Sequence, residues 1–256
     1  MRTRSAAASP AAAAHARRGP REGGVRAALR EPSVLALALA LGFAITQLAP
    51  PLLRHPFPPY PPVAIGDVVD LLTPLLVLPL YWLMFRGAER AESARGSTLL
   101  FVVLAAIWVQ GYGTHLAANS IGRLAAPEPA ASLTHFYDEV LGHYVWLVGA
   151  TGLATLCAWR AWRHPGGASQ RPGIEAGAGL VYGFAFFASV VEGGTGPLGV
   201  PFALVAVVVG ASWLWGRRHA PTLVFWTVAH ATALVLFAGW GFYWNGLPQF
   251  SQLGWI

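Results

Sequence analysis

Apolar and polar residues occur along this chain in long blocks rather than in short alternation. Seven apolar blocks, each about 20 residues long and able to cross a bilayer as one helix, are separated by short polar segments. Inside a membrane, a helix satisfies its own backbone hydrogen bonds. The pattern therefore predicts an all-α integral membrane protein with seven transmembrane helices. The predicted spans are about 33–53, 65–85, 98–119, 139–159, 174–192, 198–215 and 222–244.

The segments outside these blocks complete the predicted organisation. Residues 1–32 are rich in Ala, Arg, Pro, Ser and Gly without apolar periodicity, which predicts a disordered tail. Residues 33–246 are predicted to form one seven-helix transmembrane domain, and residues 247–256 a short external tail. The proline-dense loop at 54–62 is expected to be stiff and extended rather than helical.

The distribution of arginine predicts the orientation. All 17 basic residues are arginine, and only Arg54 and Arg123 lie in the loops at one end of the predicted helices. Positive charge concentrates in cytoplasmic segments, so the N-terminus is predicted to be cytoplasmic and the C-terminus external. We therefore expect a multi-pass protein of the cytoplasmic membrane whose arginines face anionic lipid headgroups. A net charge of +6 could suggest a nucleic-acid partner, but arginines that face the membrane surface account for it. No nucleic-acid partner is therefore expected.

Composition excludes several classes of membrane protein. Without lysine, the chain has no amine for a retinal Schiff base, so a rhodopsin-like protein is excluded. Cys157 is the single cysteine, which excludes an internal disulfide and a thiolate metal cluster. Two methionines are too few for a methionine-rich copper relay.

Ionisable residues within or beside the apolar blocks are concentrated in the predicted outer half of the membrane. Such residues are costly in hydrocarbon and by default mark a functional site. Asp67 and Asp70 open the second block and are expected to lie in external water. His230 is nearer the middle of the membrane. The other candidates are His115, Asp138, Glu139, His143 and Glu192.

The spacing of these residues favours a metal centre. In span four, His135, Glu139 and His143 recur every four residues and would share one helix face, with Asp138 beside them. In span three, Gly111 and Gly113 would let a neighbouring helix approach His115 closely. Neutral imidazole and carboxylate groups are common ligands of zinc, iron and copper. Asp138 and Glu139 would otherwise serve as favourable charges at the start of the fourth helix.

The leading hypothesis is a membrane-embedded metalloenzyme, either a hydrolase or an oxidoreductase. His115, His143, His230 and Asp138 are the predicted metal ligands, and Glu192 and Glu139 the predicted catalytic carboxylates. Zinc is the favoured metal, with iron or copper as alternatives. The substrate would be a lipid or other apolar small molecule that enters from the outer leaflet.

Three other functions remain open at this point. The chain could be a noncatalytic subunit that joins other membrane proteins, with the polar cluster holding helices together. It could instead bind haem for electron transfer, using two intramembrane histidines as axial ligands. A proton-coupled transporter could use the same residues as a relay, although the predicted inner halves of the later spans hold few polar groups.

The seven-span plan with His, Asp and Ser resembles the alkaline ceramidase and adiponectin-receptor type membrane hydrolases. Those families bind zinc through three histidines, two of them in an HxxxH pair on the last helix. Here His230 is followed by the residues 231–234, Ala-Thr-Ala-Leu, so the second histidine of that pair is missing. The resemblance extends to span count and residue types. Copper membrane monooxygenases also carry Asp and His ligands in helices, and only the Glu139–His143 interval resembles theirs.

Overall fold

A computed structural model describes residues 31–87, 94–124, 128–164, 171–216 and 220–255. Most of the predicted N-terminal tail lies outside these residues. Within the described part, seven helical stretches are long and apolar enough to cross a membrane, as the sequence predicts. The α-helices are α1 (Pro32–Leu48), α2 (Ile65–Asp70), α3 (Thr73–Gly87), α4 (Ala94–Gly122), α5 (Ala130–His135), α6 (His143–Arg163), α7 (Pro172–Glu192), α8 (Gly196–Gly216) and α9 (Pro221–Trp244).

The fourth stretch departs most from its predicted limits. It begins at Ala130 rather than near residue 139, and a π-helical segment, Phe136–Gly142, joins α5 to α6. Asp138 and Glu139 therefore do not open this stretch but lie within it. The alternative role of these carboxylates, as charges at the start of the fourth helix, does not fit a stretch that begins at Ala130. A short 3-10 helix, Pro50–Leu52, likewise extends the first stretch beyond α1.

The proline-dense loop is extended, as predicted, but it is also paired. Strands β1 (Pro56–Phe57) and β2 (Tyr60–Ala64) form a small antiparallel hairpin, with Pro56 opposite Ala64 and Phe57 opposite Tyr60. Periodicity alone did not indicate this pairing because the loop contains no alternating apolar pattern. The hairpin is a small exception to the otherwise helical fold.

Proline and asparagine define several helix ends. Pro32, Pro172 and Pro221 each occupy the first turn of a helix, where the missing N–H has no intrahelical partner to lose. At the other end of α9, Asn245 adopts a left-handed conformation with φ 52° and its N–H bonds to the carbonyl of Gly241. The chain can therefore turn back after this residue.

The helices pack around α7, which contacts α1 on one side and α9 on the other. Helix α4 pairs with α6, and α8 packs chiefly on α9. The interior between them is aromatic, and the hydroxyls of Tyr81 and Tyr182 are 2.5 Å apart within it. Helix α8 leaves Leu204, Val205 and Val208 exposed. An exposed apolar face of this kind fits contact with lipid.

Candidate metal centre

Glycine residues bring α4 and α6 into close contact. A Cβ atom on Gly111 would lie 2.2 Å from the backbone nitrogen of Trp146, and one on Gly149 would lie 2.5 Å from that of Trp108. Neither position has room for a larger residue, so glycine is what permits this helix approach. Gly113 was expected to contribute in the same way, but a Cβ there would meet nothing within 4 Å.

The same contact continues to the end of the bundle that holds the candidate residues, hereafter the site end. A Cβ on Gly142 would lie 2.9 Å from the backbone nitrogen of His115. The last residue of the π-helical segment therefore lies directly against α4. This arrangement fixes the distance between the His115 side chain and the side chains of the fourth stretch.

Three side chains converge there. One potential ligand atom from each of His115, Asp138 and His143 can be chosen so that all three lie within 4.8 Å of one another. The Nδ1 atom of His115 is 2.5 Å from the Oδ1 atom of Asp138. The rings of His115 and His143 are 4.4 Å apart between centroids and inclined by 36°. Two imidazoles and one carboxylate from two neighbouring stretches thus form one cluster.

The π-helical segment explains why Asp138 belongs to this cluster. Residues five apart are brought together by the i→i+5 hydrogen bonds of a π-helix, and Asp138 precedes His143 by five positions. An α-helical spacing favours Glu139 instead, at four positions. The wider turn leaves both carboxylates close to a histidine. The four-residue pattern also included His135, which is exposed and is not a member of the cluster.

Glu139 stands beside His143 rather than within the cluster of three. Its Oε2 atom is 3.5 Å from His143 Nδ1. That nitrogen is buried and has no hydrogen-bond partner among the described residues. Gly193 packs on the same ring, since a Cβ at Gly193 would lie 3.2 Å from His143 Cγ. A buried imidazole nitrogen without a partner, next to a second imidazole, is a typical feature of a ligand site.

Glu192, predicted to be a catalytic base, has a different partner. Its Oε2 atom accepts a hydrogen bond of 3.2 Å from the backbone N–H of Ser251. The chain turns back after α9, so that residues 247–255 lie over the site end. Within this segment Gln249 donates its side-chain amide to Glu139 Oε2 at 3.1 Å and to the carbonyl of Glu192 at 2.6 Å.

His230 lies apart from the cluster. It is only 3% exposed, and its Nδ1 atom is 2.7 Å from the carbonyl oxygen of Trp226, one helical turn earlier. Phe186 and Phe202 pack edge-on against its ring. The expected convergence of three histidines is therefore not found: two converge, and the described residues place no metal-ligating side chain in a group with His230. The position of a residue within an apolar block suggests its depth, and periodicity gives its helix face, but neither tells which neighbouring helix that face contacts.

Asp70 was expected to lie in water, but it is only 9% exposed. Its Oδ1 atom accepts hydrogen bonds from the Tyr112 hydroxyl at 2.5 Å and the Thr73 hydroxyl at 3.0 Å. Tyr112 precedes His115 by three positions on α4, and their rings contact edge-on at 6.2 Å. That i, i+3 relation was a signal in the sequence that could have connected Tyr112 to the site. Asp67 is paired with Arg123 near the surface.

A cleft of about 500 Å³ opens next to Glu139. Its wall combines polar and apolar side chains from the fourth stretch, the α7–α8 turn and the segment after α9. The lining residues are His135, Glu139, Val140, Tyr144, Gly194, Leu247, Gln249 and Gln252. Val140 is also exposed on the outer face of the helices, so the cleft borders an apolar surface. The wall of the cleft therefore has both apolar and polar parts.

Comparison with known proteins gives no family: no protein-family model, no curated protein and no solved structure matches the chain. The class defined by the fold is that of a helical protein with seven candidate membrane spans, and its most distinctive feature is the His/Asp/His cluster. The functional conclusion rests on that geometry.

Proposed function

We propose that this protein is a membrane-embedded metalloenzyme whose metal ion is held by His115, Asp138 and His143. The supporting observation is the convergence of their ligand atoms within 4.8 Å. The buried Nδ1 atom of His143 makes no hydrogen bond among the described residues and has the Glu139 carboxylate 3.5 Å away. Atoms that each bind one metal at about 2 Å lie at most about 4 Å apart, so small side-chain rotations are enough to close the set.

The hydrogen bond between His115 and Asp138 is consistent with this proposal. Nδ1 and Oδ1 are 2.5 Å apart, so one of the two atoms carries the proton of this hydrogen bond. For both atoms to bind a cation, that proton must move to His115 Nε2 or to solvent. His230, predicted from the sequence to be a third histidine ligand, has no part in the proposed set.

Two imidazoles and one carboxylate favour a catalytic rather than a structural site. Structural zinc sites use four protein ligands, whereas catalytic sites use three and leave a position for water or substrate. Zinc at this position would make its water nucleophilic at neutral pH, and iron or copper would direct the same ligands toward oxygen chemistry. We favour zinc as the metal and hydrolysis as the reaction, and zinc is also the metal that the sequence analysis favours.

Glu139 is the carboxylate placed to act beside the metal. It lies next to His143 and also lines the cleft, so it can accept a proton from a water or substrate held there. Glu192 is engaged by the backbone of Ser251, and its carboxylate stabilises the segment after α9. Within this proposal, Glu139 rather than Glu192 is the general base.

The cleft suggests where a substrate would bind. It is open, borders the apolar exposed surface near Val140 and reaches Glu139 at its polar wall. We infer a lipid or another apolar molecule with one polar group, which enters from the leaflet at the site end. The arginine distribution predicts that this is the external leaflet.

The proposal is tested by the metal content and visible spectrum of the purified, tag-cleaved protein. Wild type is compared with His143→Ala and with His230→Ala as the matched control. About one zinc, iron or copper per chain, lost in His143→Ala but retained in His230→Ala, is the expected result. A Soret band would identify haem instead. A stable wild-type protein without metal after reconstitution would contradict the proposal and favour a noncatalytic subunit.

A further inference from the structure

The segment that follows α9 makes specific contacts with the candidate metal centre. Asn245 turns the chain, and the indole N–H of Trp240 then donates a hydrogen bond of 3.1 Å to the carbonyl of Pro248. The Phe250 ring packs against Trp240 at 5.0 Å and Phe187 at 6.2 Å between centroids. Residues 247–255 are therefore held against α7 and α9 by aromatic contacts and a backbone bond.

Gln249 is the residue of this segment that reaches the site. One amide nitrogen donates both to Glu139 Oε2 and to the carbonyl of Glu192, at 3.1 and 2.6 Å. Glu192 ends α7, so its carbonyl is fixed in space by that helix. The amide thus connects a fixed backbone oxygen to the carboxylate beside His143.

The contacts of Gln249 itself are also constrained. Its backbone N–H donates to the Gln252 side-chain oxygen at 3.1 Å, and the next residue but one, Ser251, donates its N–H to Glu192. A Cβ on Gly194 would lie 3.4 Å from the Gln249 amide nitrogen, so the α7–α8 turn leaves room for this side chain. Gln249 is held from both its backbone and its amide end.

We propose that Gln249 is a positioning residue of the metal centre, which holds Glu139 in the orientation that faces His143. This inference rests on the proposed function. Groups that orient the ligands of a metal contribute about 10–100-fold to metal affinity. Glu139 is not one of the three proposed ligands, but its carboxylate lies 3.5 Å from the Nδ1 atom of the ligand His143. Gln249 acts on the metal through this neighbour of a ligand, so the lower end of that range is expected. The sequence offered no signal for Gln249, because it lies 110 positions from Glu139 in a tail after the last span.

The test measures zinc affinity by chelator competition, and the visible spectrum of the cobalt-substituted protein, for wild type and Gln249→Met. Methionine preserves length and packing but cannot donate a hydrogen bond. We expect about tenfold weaker zinc binding and an altered cobalt spectrum. Ser251→Ala is the matched control, since it changes the same segment but retains the backbone N–H that binds Glu192. It should leave both readouts unchanged.

A double-mutant comparison separates positioning from general support of the fold. In a Glu139→Leu background, Gln249→Met should change zinc affinity by less than about twofold, because the group through which it acts is gone. An undiminished tenfold loss in that background would overturn the inference. So would a Gln249→Met protein with wild-type affinity and cobalt spectrum, although the metal site itself would stand. A wild-type protein that binds neither metal would overturn the proposed function and this inference together.

Discussion

His143 and His230 are both histidines inside candidate membrane spans, but their surroundings differ. His143 lies beside a second imidazole and two carboxylates near the end of the bundle, and its Nδ1 atom has no hydrogen-bond partner in the described residues. His230 lies among aromatic rings, with its Nδ1 atom bonded to a carbonyl of its own helix. A histidine at membrane depth therefore indicates a functional site only when other ligand groups share its location.

The largest expected difference concerns direct metal binding at the two locations. His115→Ala removes one of three proposed ligands and should weaken metal binding by more than about 100-fold, beyond the range for an orienting group. His230→Leu should change it by less than about twofold. Chelator competition on purified protein measures both. Equal losses of metal affinity in the two variants would show that His230 belongs to the site. The distinction between the two histidine locations would then be wrong.

The next effect concerns two carboxylates to which the sequence analysis assigned different roles, Asp138 as a metal ligand and Glu192 as a catalytic carboxylate. Asp138→Asn removes the negative charge of a proposed ligand and should weaken metal binding by about 10–100-fold. Glu192→Gln is the matched control, because the Glu192 carboxylate contacts Ser251 and not the cluster. Its affinity should stay within about threefold of wild type. A greater loss in Glu192→Gln than in Asp138→Asn would contradict Asp138 as the carboxylate ligand of the metal.

Part of the fold and part of the candidate site could be predicted from the sequence. The seven apolar stretches followed from hydropathy, because burial in lipid imposes length and composition on a helix. His115, Asp138 and His143 were predicted to belong to one site, and they converge. The position of Asp138 in one group with His143 depends on a π-helical turn, which no local pattern encodes.

Contacts between residues far apart in the chain could not be predicted from the sequence either. His230 was grouped with the other histidines because depth is readable from sequence, whereas the direction of a side chain depends on how α9 packs against α7 and α8. Asp70 was expected in water because the partner that buries it, Tyr112, lies on a different helix. Gln249 reaches Glu139 only because Asn245 reverses the chain.

The close contact of α4 and α6 should be sensitive to a single methyl group. Gly111→Ala places a Cβ atom 2.2 Å from a backbone nitrogen, so the helices must separate. Overpacking of this kind destabilises by about 1–3 kcal/mol. Gly113→Ala on the same helix meets nothing within 4 Å and should be neutral or stabilising by up to about 1 kcal/mol. Unfolding in mixed detergent micelles measures both, and a destabilised Gly113→Ala protein would contradict the structure.

The smallest expected effect concerns the stability contributed by His230. His230→Leu loses the hydrogen bond to the Trp226 carbonyl, a net contribution of about 1 kcal/mol, and also removes a buried Nε2 atom that has no partner among the described residues. An unsatisfied buried polar atom costs about 1–3 kcal/mol, so the two changes nearly offset each other. The free energy of unfolding should shift by less than about 1 kcal/mol, which corresponds to less than about 2–4 °C in melting temperature. A loss of several kcal/mol would mean that Nε2 binds something in the folded protein, which would give His230 a site of its own.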